Sequence, residues 1–441
     1  MDFLTLIPSF GGLLFTLAAF FVALLVIVFV HEYGHYIVGR WSGIKAEVFS
    51  IGFGPVLWSR PDKHGTRWQI AAIPLGGYVK FLGDGDAASV SRGADVAPEE
   101  ARASMHSAPL WARSATVAAG PMFNFALSIV VFAGLVMVRG VATDPLTIAD
   151  LPPTPYAQNL AIGDQIVGID GQATPGLDDF GAFANALPVQ SILDYEVLRD
   201  GQSRIVQDMH PYPAMVGAVS PESAASDAGL RAGDFILAVD GEPMDAFSEL
   251  QAVVAAADGA TVNLTIWRDG VEFAQELTPR RTDLPLPDGG FETRWLIGIS
   301  GGLWFEPATR ALGPWEGLTF GVERTWFIIT SSLSGLYHMI TGAISSCNLR
   351  GPIGIAQTSG TIAAQGLTSF IGFIALLSTA VGLLNLFPIP VLDGGHLVFH
   401  AYEAVTGKPP SDGALRIIMT VGLALIGTLM IFALSNDLFC P

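Results

Sequence analysis

Four long apolar runs without a charged residue constrain this chain more than anything else in it: residues 10–30, 114–138, 366–392 and 417–435. Each reaches or approaches the roughly 20 residues that a helix needs to cross a hydrocarbon core. The middle of the chain is polar and acidic instead, with alternating patterns. The expected architecture is a polytopic α-helical membrane protein with four transmembrane helices and a soluble insert. Composition agrees, with 51% of residues hydrophobic and only 14% charged, against about 25% charged in soluble proteins.

The first run, within residues 1–45, reads as an uncleaved membrane helix and not as a secretory signal. Asp2 stands where a basic start is expected, the run is too long for an h-region, and no small-residue cleavage site follows. Charge then orients the chain. Residues 40–113 carry nine Lys or Arg, whereas 139–316 is dominated by Asp and Glu and the net charge is −18. Short basic loops stay in the cytoplasm, so 40–113 is read as cytoplasmic, with the N-terminus and the acidic insert outside. An acidic insert argues against nucleic acid as a partner. Two cysteines are too few for a disulfide framework or a cysteine metal cluster.

Residues 46–82 read as short β-segments punctuated by Gly and Pro, and 83–112 as a cytoplasmic linker rich in small and polar residues. The second membrane helix is placed at 113–140, with Trp111 at the interface. The insert contains a repeat: Gly163–Gly171 recurs as Gly233–Gly241, offset by 70 positions, and Arg199–Gly201 as Arg268–Gly270, offset by 69. Two similar units are expected, 145–212 and 213–282, each mainly β with one or two helices. Residues 229–241 resemble the PDZ signature of bacterial membrane proteases, whereas the lead-in of the first copy, 157–164, departs from it. Residues 283–365 form a further extracytoplasmic region. Within it, 325–346 carries an apolar stripe (Trp326, Ile329, Leu333, Leu336, Ile340, Ile344) and a polar one (Ser334, His338, Thr341, Ser345), which suits a helix lying in the interface. The last two membrane helices are placed at 366–396 and 412–436.

His31, Glu32 and His35 form an HExxH sequence. On a helix, positions i and i+4 share a face, so both imidazoles can meet one Zn²⁺. Glu32 sits beside them, placed to take a proton from the attacking water. Ionisable groups at the end of an apolar helix are costly in hydrocarbon and mark a functional site by default; the alternative is two interfacial histidines at a helix end. A catalytic zinc also needs a third protein ligand. The best candidate is Asp393, in the segment 385–396. Pro388 and Pro390 cannot continue a helix, so the segment unwinds where Asp393 is presented. Irregular backbone at membrane depth is tolerated only inside protein or against a wet cavity. A helix end that has simply reached water would accommodate Asp393 as well.

These segments, with 118–125 and 351–356, resemble the site-2 protease family of intramembrane zinc metalloproteases (peptidase family M50), and within it the bacterial branch that cleaves anti-sigma factors and carries tandem PDZ domains. The resemblance covers nearly the whole chain. It implies that His31, His35 and Asp393 hold one catalytic zinc ion, that Glu32 is the general base and that Asn385 holds the substrate backbone near the metal. It implies that 46–82 form a membrane-embedded β-hairpin that pairs with substrate, with Gly76, Gly77 and Tyr78 as substrate-binding positions. Physics favours that role, because a transmembrane helix must unwind before its peptide bonds can be attacked, and a strand edge offers it replacement hydrogen bonds. The insert becomes two extracytoplasmic PDZ-like α+β domains. Gly120, Pro121 and Asn124 match a family motif in the second helix. Small residues plus one Asn equally serve close helix packing, and packing is the preferred reading. His396 and His400 receive no ligand role.

The expected activity is hydrolysis of peptide bonds within transmembrane segments of single-pass membrane proteins, such as an anti-sigma factor after a first cleavage. The expected location is the inner (plasma) membrane, with the active site toward the cytoplasm. An inactive scaffold binding partners through its PDZ units would lack a member of the metal constellation, and none is missing. A transporter would need paired repeats across the membrane, whereas the repeat found is soluble. Whether the PDZ pair filters substrates or binds new C-termini stays open. Because His31 and Asp393 must reach one metal from the ends of their helices, those helices run in the same direction. Residues 325–346 then lie on the membrane without crossing it, and both termini are outside. Cys347 and Cys440 fall on the extracytoplasmic side, where a disulfide can persist. Nothing in the sequence sets their separation, and two free thiols are the expectation.

Overall fold

The computed structural model describes residues 7–84, 103–286 and 290–440; residues 85–102 of the expected linker lie outside them. Helices follow in chain order as α1 (Ile7–Trp41), α2 (Leu110–Arg139), α3 (Leu177–Ala186), α4 (Ala224–Asp227) and α5 (Phe247–Ala256). Then come α6 (Pro314–Ile340), α7 (Pro352–Ala364), α8 (Leu367–Asn385), α9 (Asp393–Thr406) and α10 (Asp412–Phe439). The chain divides into two compact units. One contains the chain up to Leu135, Pro314–Ile340 and everything from Ser346 onward; the other contains Val136–Gly313 and Thr341–Ser345.

In the first unit, four helices among the described residues are long and apolar enough to cross a membrane: Gly12–Trp41, Leu110–Arg139, Leu367–Asn385 and Gly413–Phe439. They coincide with the four charge-free runs. In an apolar surrounding, helices are held together by close backbone approach and a few polar side chains, and both devices are present. Gly34 lets α1 come so near α2 that a Cβ there would overlap Ala119 O. Ser378 Oγ donates to Asn124 O at 2.9 Å and Ser128 Oγ to Ala375 O at 2.8 Å, tying α8 to α2.

Two strands, β1 (Ala46–Pro61) and β2 (Arg67–Phe81), follow α1 and pair antiparallel. Both double back: residues 48–51 pair with 67–70 on one side and with 77–80 on the other, while 56–61 pair with 67–71. The bend in β1 falls at Gly52 and Gly54, at φ +88° and +84°. The inner half is packed, with Val48, Phe49, Val79 and Phe81 buried, and the outer half exposes Phe53, Val56, Leu57, Trp58, Ile70 and Ile73. An apolar exposed half is what a lipid-facing surface needs.

The expected helix at 325–346 is displaced. α6 begins at Pro314 and ends at Ile340, so Thr341, Ile344 and Ser345 belong to no stripe on it. Its buried face is Gly317, Gly321, Thr325 and Ile328, and Gly321 lies directly against Ile129 O of α2. The face of α6 that packs is marked by these small buried residues. Cys347 and Cys440 are joined, with Cα atoms 5.6 Å apart, which overturns the expectation of free thiols. The missing separation is supplied by neighbours. Asp437 accepts from Gly351 N at 2.7 Å and Ile353 N at 3.0 Å, and Asn436 donates to Ser346 O at 2.8 Å.

The second unit holds the repeat as two four-stranded sheets of one strand order. The first runs 172–173, 165–169, 193–199, 202–208, the second 242–243, 235–239, 262–268, 271–277. Each repeated Asp–Gly pair has positive φ at both residues (Asp170 +50°, Gly171 +72°; Asp240 +50°, Gly241 +87°), the signature of a tight hairpin turn. A buried aspartate in each copy takes both arms of an arginine: Arg199 Nε to Asp164 Oδ1 at 2.7 Å and Arg268 Nε to Asp234 Oδ1 at 2.6 Å. Burial alone would raise the Asp164 carboxyl, but Arg199 outweighs it and holds the group below the usual range. The sequence places 283–365 in one region, and the structure divides it. Strand 299–300 pairs with 218–219 in the second copy, while 306–307 pairs with 148–150 and 309–310 with 141–142 beside the first. Trp304 and Phe305 are buried in the first copy's core. The second copy is therefore nested within the first.

Candidate metal centre

α1 carries His31 and His35 one turn apart, with their Nε2 atoms 3.2 Å from each other. His35 Nδ1–H donates to Thr116 O of α2 at 2.8 Å. A carbonyl can only accept, so the proton sits on Nδ1 and the Nε2 lone pair is left free. His31 Nδ1 lies 3.2 Å from the side-chain amide of the fully buried Asn124, whose Oδ1 has no partner. Turning that amide over, a choice hydrogen bonding must make, lets Oδ1 accept from His31 Nδ1–H and frees His31 Nε2 in the same way. Gly120 on α2 faces both rings; a Cβ there would overlap the His35 imidazole and crowd His31 Cε1.

The third donor arrives from far along the chain. α8 ends at Asn385 and α9 starts at Asp393, with no helix at 386–392. Val391 has φ +90°, a strained conformation for a β-branched residue and the kind that persists where surroundings over-determine it. Asp393 Oδ2 lies 3.2 Å from His31 Nε2 and 3.5 Å from His35 Nε2. Zinc bonds of about 2.0–2.1 Å in tetrahedral geometry put neighbouring donors roughly 3.3 Å apart. Asp393 Oδ2 is also buried without a hydrogen-bond partner, an arrangement that costs free energy unless a cation meets it. The donor set fits a divalent metal, and among the described residues it is the one cluster of three or more such groups within 4.8 Å.

The remaining expected site residues fall in different places. Glu32 is not a member of the donor cluster. It lies under β2, where a Cβ on Gly77 would come 3.0 Å from Glu32 Cγ and 2.9 Å from Val28 Cγ1. Gly77 thus gives Glu32 its space. Gly76 abuts the Phe53 ring instead, and Tyr78 stacks on Phe53 at 6.1 Å and accepts from Gln69 Nε2 at 3.1 Å. Asn385 donates to Val381 O of its own helix at 3.1 Å. His396 and His400 lie on α9 outside the cluster. Sequence reasoning preferred packing for Asn124 and did not see Thr116 at all. A lone amide in an apolar helix was the signal for the first; a backbone carbonyl leaves none.

A donor set that fits a divalent cation, among helices of membrane length, is what a membrane-embedded metalloprotease requires. The comparisons agree. Peptidase family M50 matches residues 19–429, and the chain belongs to that family. A protein of Rhizobium meliloti (strain 1021) named as a zinc metalloprotease is 36% identical over 435 residues, 97% of each chain. One of Agrobacterium fabrum, named likewise, is 35% identical over 442 residues, 98% of each. Regulator of sigma-E protease RseP of Salmonella typhimurium is 34% identical over 457 residues, covering 97% of this chain and 99% of that protein. The protein is an intramembrane zinc metalloprotease.

Proposed function

We propose that His31, His35 and Asp393 hold a single catalytic zinc and that Glu32 is the general base in cleavage of substrate segments within the membrane. The observation that carries this is the three donors at mutual distances of 3.2, 3.2 and 3.5 Å. The bound zinc supplies a Lewis acid for the scissile carbonyl and for the attacking water. Glu32 takes the proton from that water and passes it to the leaving amide nitrogen. Thr116 O and Asn124 keep the two imidazoles in the tautomer that presents Nε2. The strand of Gly76, Gly77 and Tyr78 pairs with an unwound substrate segment beside Glu32, and Asn385 turns to hold its backbone. Removing the metal with a chelator from the protein in detergent is expected to abolish cleavage of a single-pass model substrate, and zinc to restore it. Cleavage that survives complete metal removal would refute the mechanism.

The name of the Salmonella relative supports substrates of the anti-sigma-factor type. The repeated sheets of the second unit act as two PDZ-like domains outside the inner membrane, with the metal toward the cytoplasmic side. The basic stretch 40–113 supports that orientation. Reporter fusions after residue 350 are expected to read extracytoplasmic. A cytoplasmic signal there breaks the argument that His31 and Asp393 reach one metal from helices running the same way.

A further inference from the structure

One turn of α2 is bonded to both halves of the metal centre. Thr116 O fixes His35 on α1. Three residues earlier, Arg113 grips Glu403 on α9 with two parallel bonds, Nη1 to Oε2 at 3.0 Å and Nη2 to Oε1 at 2.6 Å. Between them, Ser114 Oγ lies 3.2 Å from His400 Nδ1, also on α9. Arg113 is itself anchored, its Nε donating to Ala108 O at 3.1 Å. The Arg113 and Glu403 side chains are only 15% and 18% exposed. A two-armed guanidinium–carboxylate pair shielded from water is stronger and more directional than a surface pair.

α9 begins with Asp393, and the residues leading into it form no helix that could carry its position from α8. Turns at 386–392 pack under its start, with Gly394 against Leu386 O and Phe387 O and Gly395 against Ile389 O, and contacts further along fix the rest of the helix. We propose that Arg113 and Glu403 are positioning residues of the metal centre: their pairing sets where α9 starts, and so the distance of Asp393 from His31 and His35. Zinc sites hold their ligand distances to about 0.2 Å, and a two-armed pair near the far end of α9 restrains that helix from sliding or turning. The inference rests on the reading of Asp393 as a ligand and deepens it.

The test uses the full chain in detergent, with Glu403→Gln, Arg113→Gln and the double variant. Zinc affinity is read by chelator competition, and ligand geometry by the visible spectrum of the cobalt(II)-substituted protein. Each single change is expected to weaken zinc about 10-fold, the lower end of the range for groups that bond a ligand directly, and to alter the cobalt spectrum. The double variant should cost no more than the worse single, because the two groups act as one unit. A purely structural pair would lower the thermal midpoint of the zinc-free protein while affinity and spectrum stay at parent values, and that result overturns the proposal. Additive losses overturn it too, since they show the residues acting separately. Asp393→Ala separates the two readings. Parent-like zinc affinity in that variant removes Asp393 as a ligand; weakened zinc there, with parent-like zinc in the pair variants, removes only the role of the pair.

Discussion

Glu32→Gln is expected to leave zinc near stoichiometric while cleavage falls by about 10²–10⁴-fold, the usual worth of general acid–base catalysis. That corresponds to about 3–5 kcal/mol of barrier. The separation of the two effects follows from the geometry. Glu32 stands outside the three-donor cluster and against Gly77 of β2, so it is not expected to act as a ligand. Glutamine keeps the volume that Gly77 makes room for and most of the hydrogen bonding, and removes only the group that accepts a proton. Metal content and turnover of a model transmembrane substrate, measured on the same preparation, decide the matter. Parent-like turnover would place the base elsewhere. Zinc lost together with turnover would make Glu32 a ligand.

Asp393→Asn should fail in the other way, losing zinc and cleavage together. The carboxylate brings negative charge to the donor cluster, and its Oδ2 is buried, without a hydrogen-bond partner and within 3.5 Å of both imidazoles. A neutral amide of the same shape is a poorer ligand for a divalent cation. Removing an outer-shell partner typically costs about 10–100-fold in metal affinity, and loss of a direct ligand should exceed that. Excess zinc is expected to recover part of the activity, because the histidines and Glu32 remain. Chelator competition gives the affinity. If the variant holds zinc as tightly as the parent, the carboxylate serves the fold and the third ligand lies elsewhere.

Much of this protein could be read from its residues in order. Hydropathy located the four membrane-length helices, since a span of about 20 apolar residues has few other uses. Helical period put His31 and His35 on one face, and two prolines stopped the helix before Asp393. The repeat was visible because Asp–Gly turns and the paired Asp and Arg recur at fixed offsets. All of these are local: a property of one segment, set by its own backbone period and its own solvent.

What stayed hidden depends on pairs far apart in the chain. Asn124 reaches His31 across 93 positions and Glu403 reaches Arg113 across 290, and no local pattern marks either partner. Residues 299–310 were placed in a further region, 283–365, yet Trp304 and Phe305 fill the core of the first repeat copy, because a sheet accepts a strand from anywhere in the chain. Cys347 and Cys440 could not be joined on paper, for their separation depends on how α7 and α10 meet. α6 read as two-faced by its spacing, but its buried face carries Gly321 fitted against α2. The sequence by itself determined which segments enter the membrane and which side chains could carry the chemistry. Only the tertiary structure decided that His31, His35 and Asp393 meet, because they stand on helices far apart in the chain and are brought together by contacts no single segment contains.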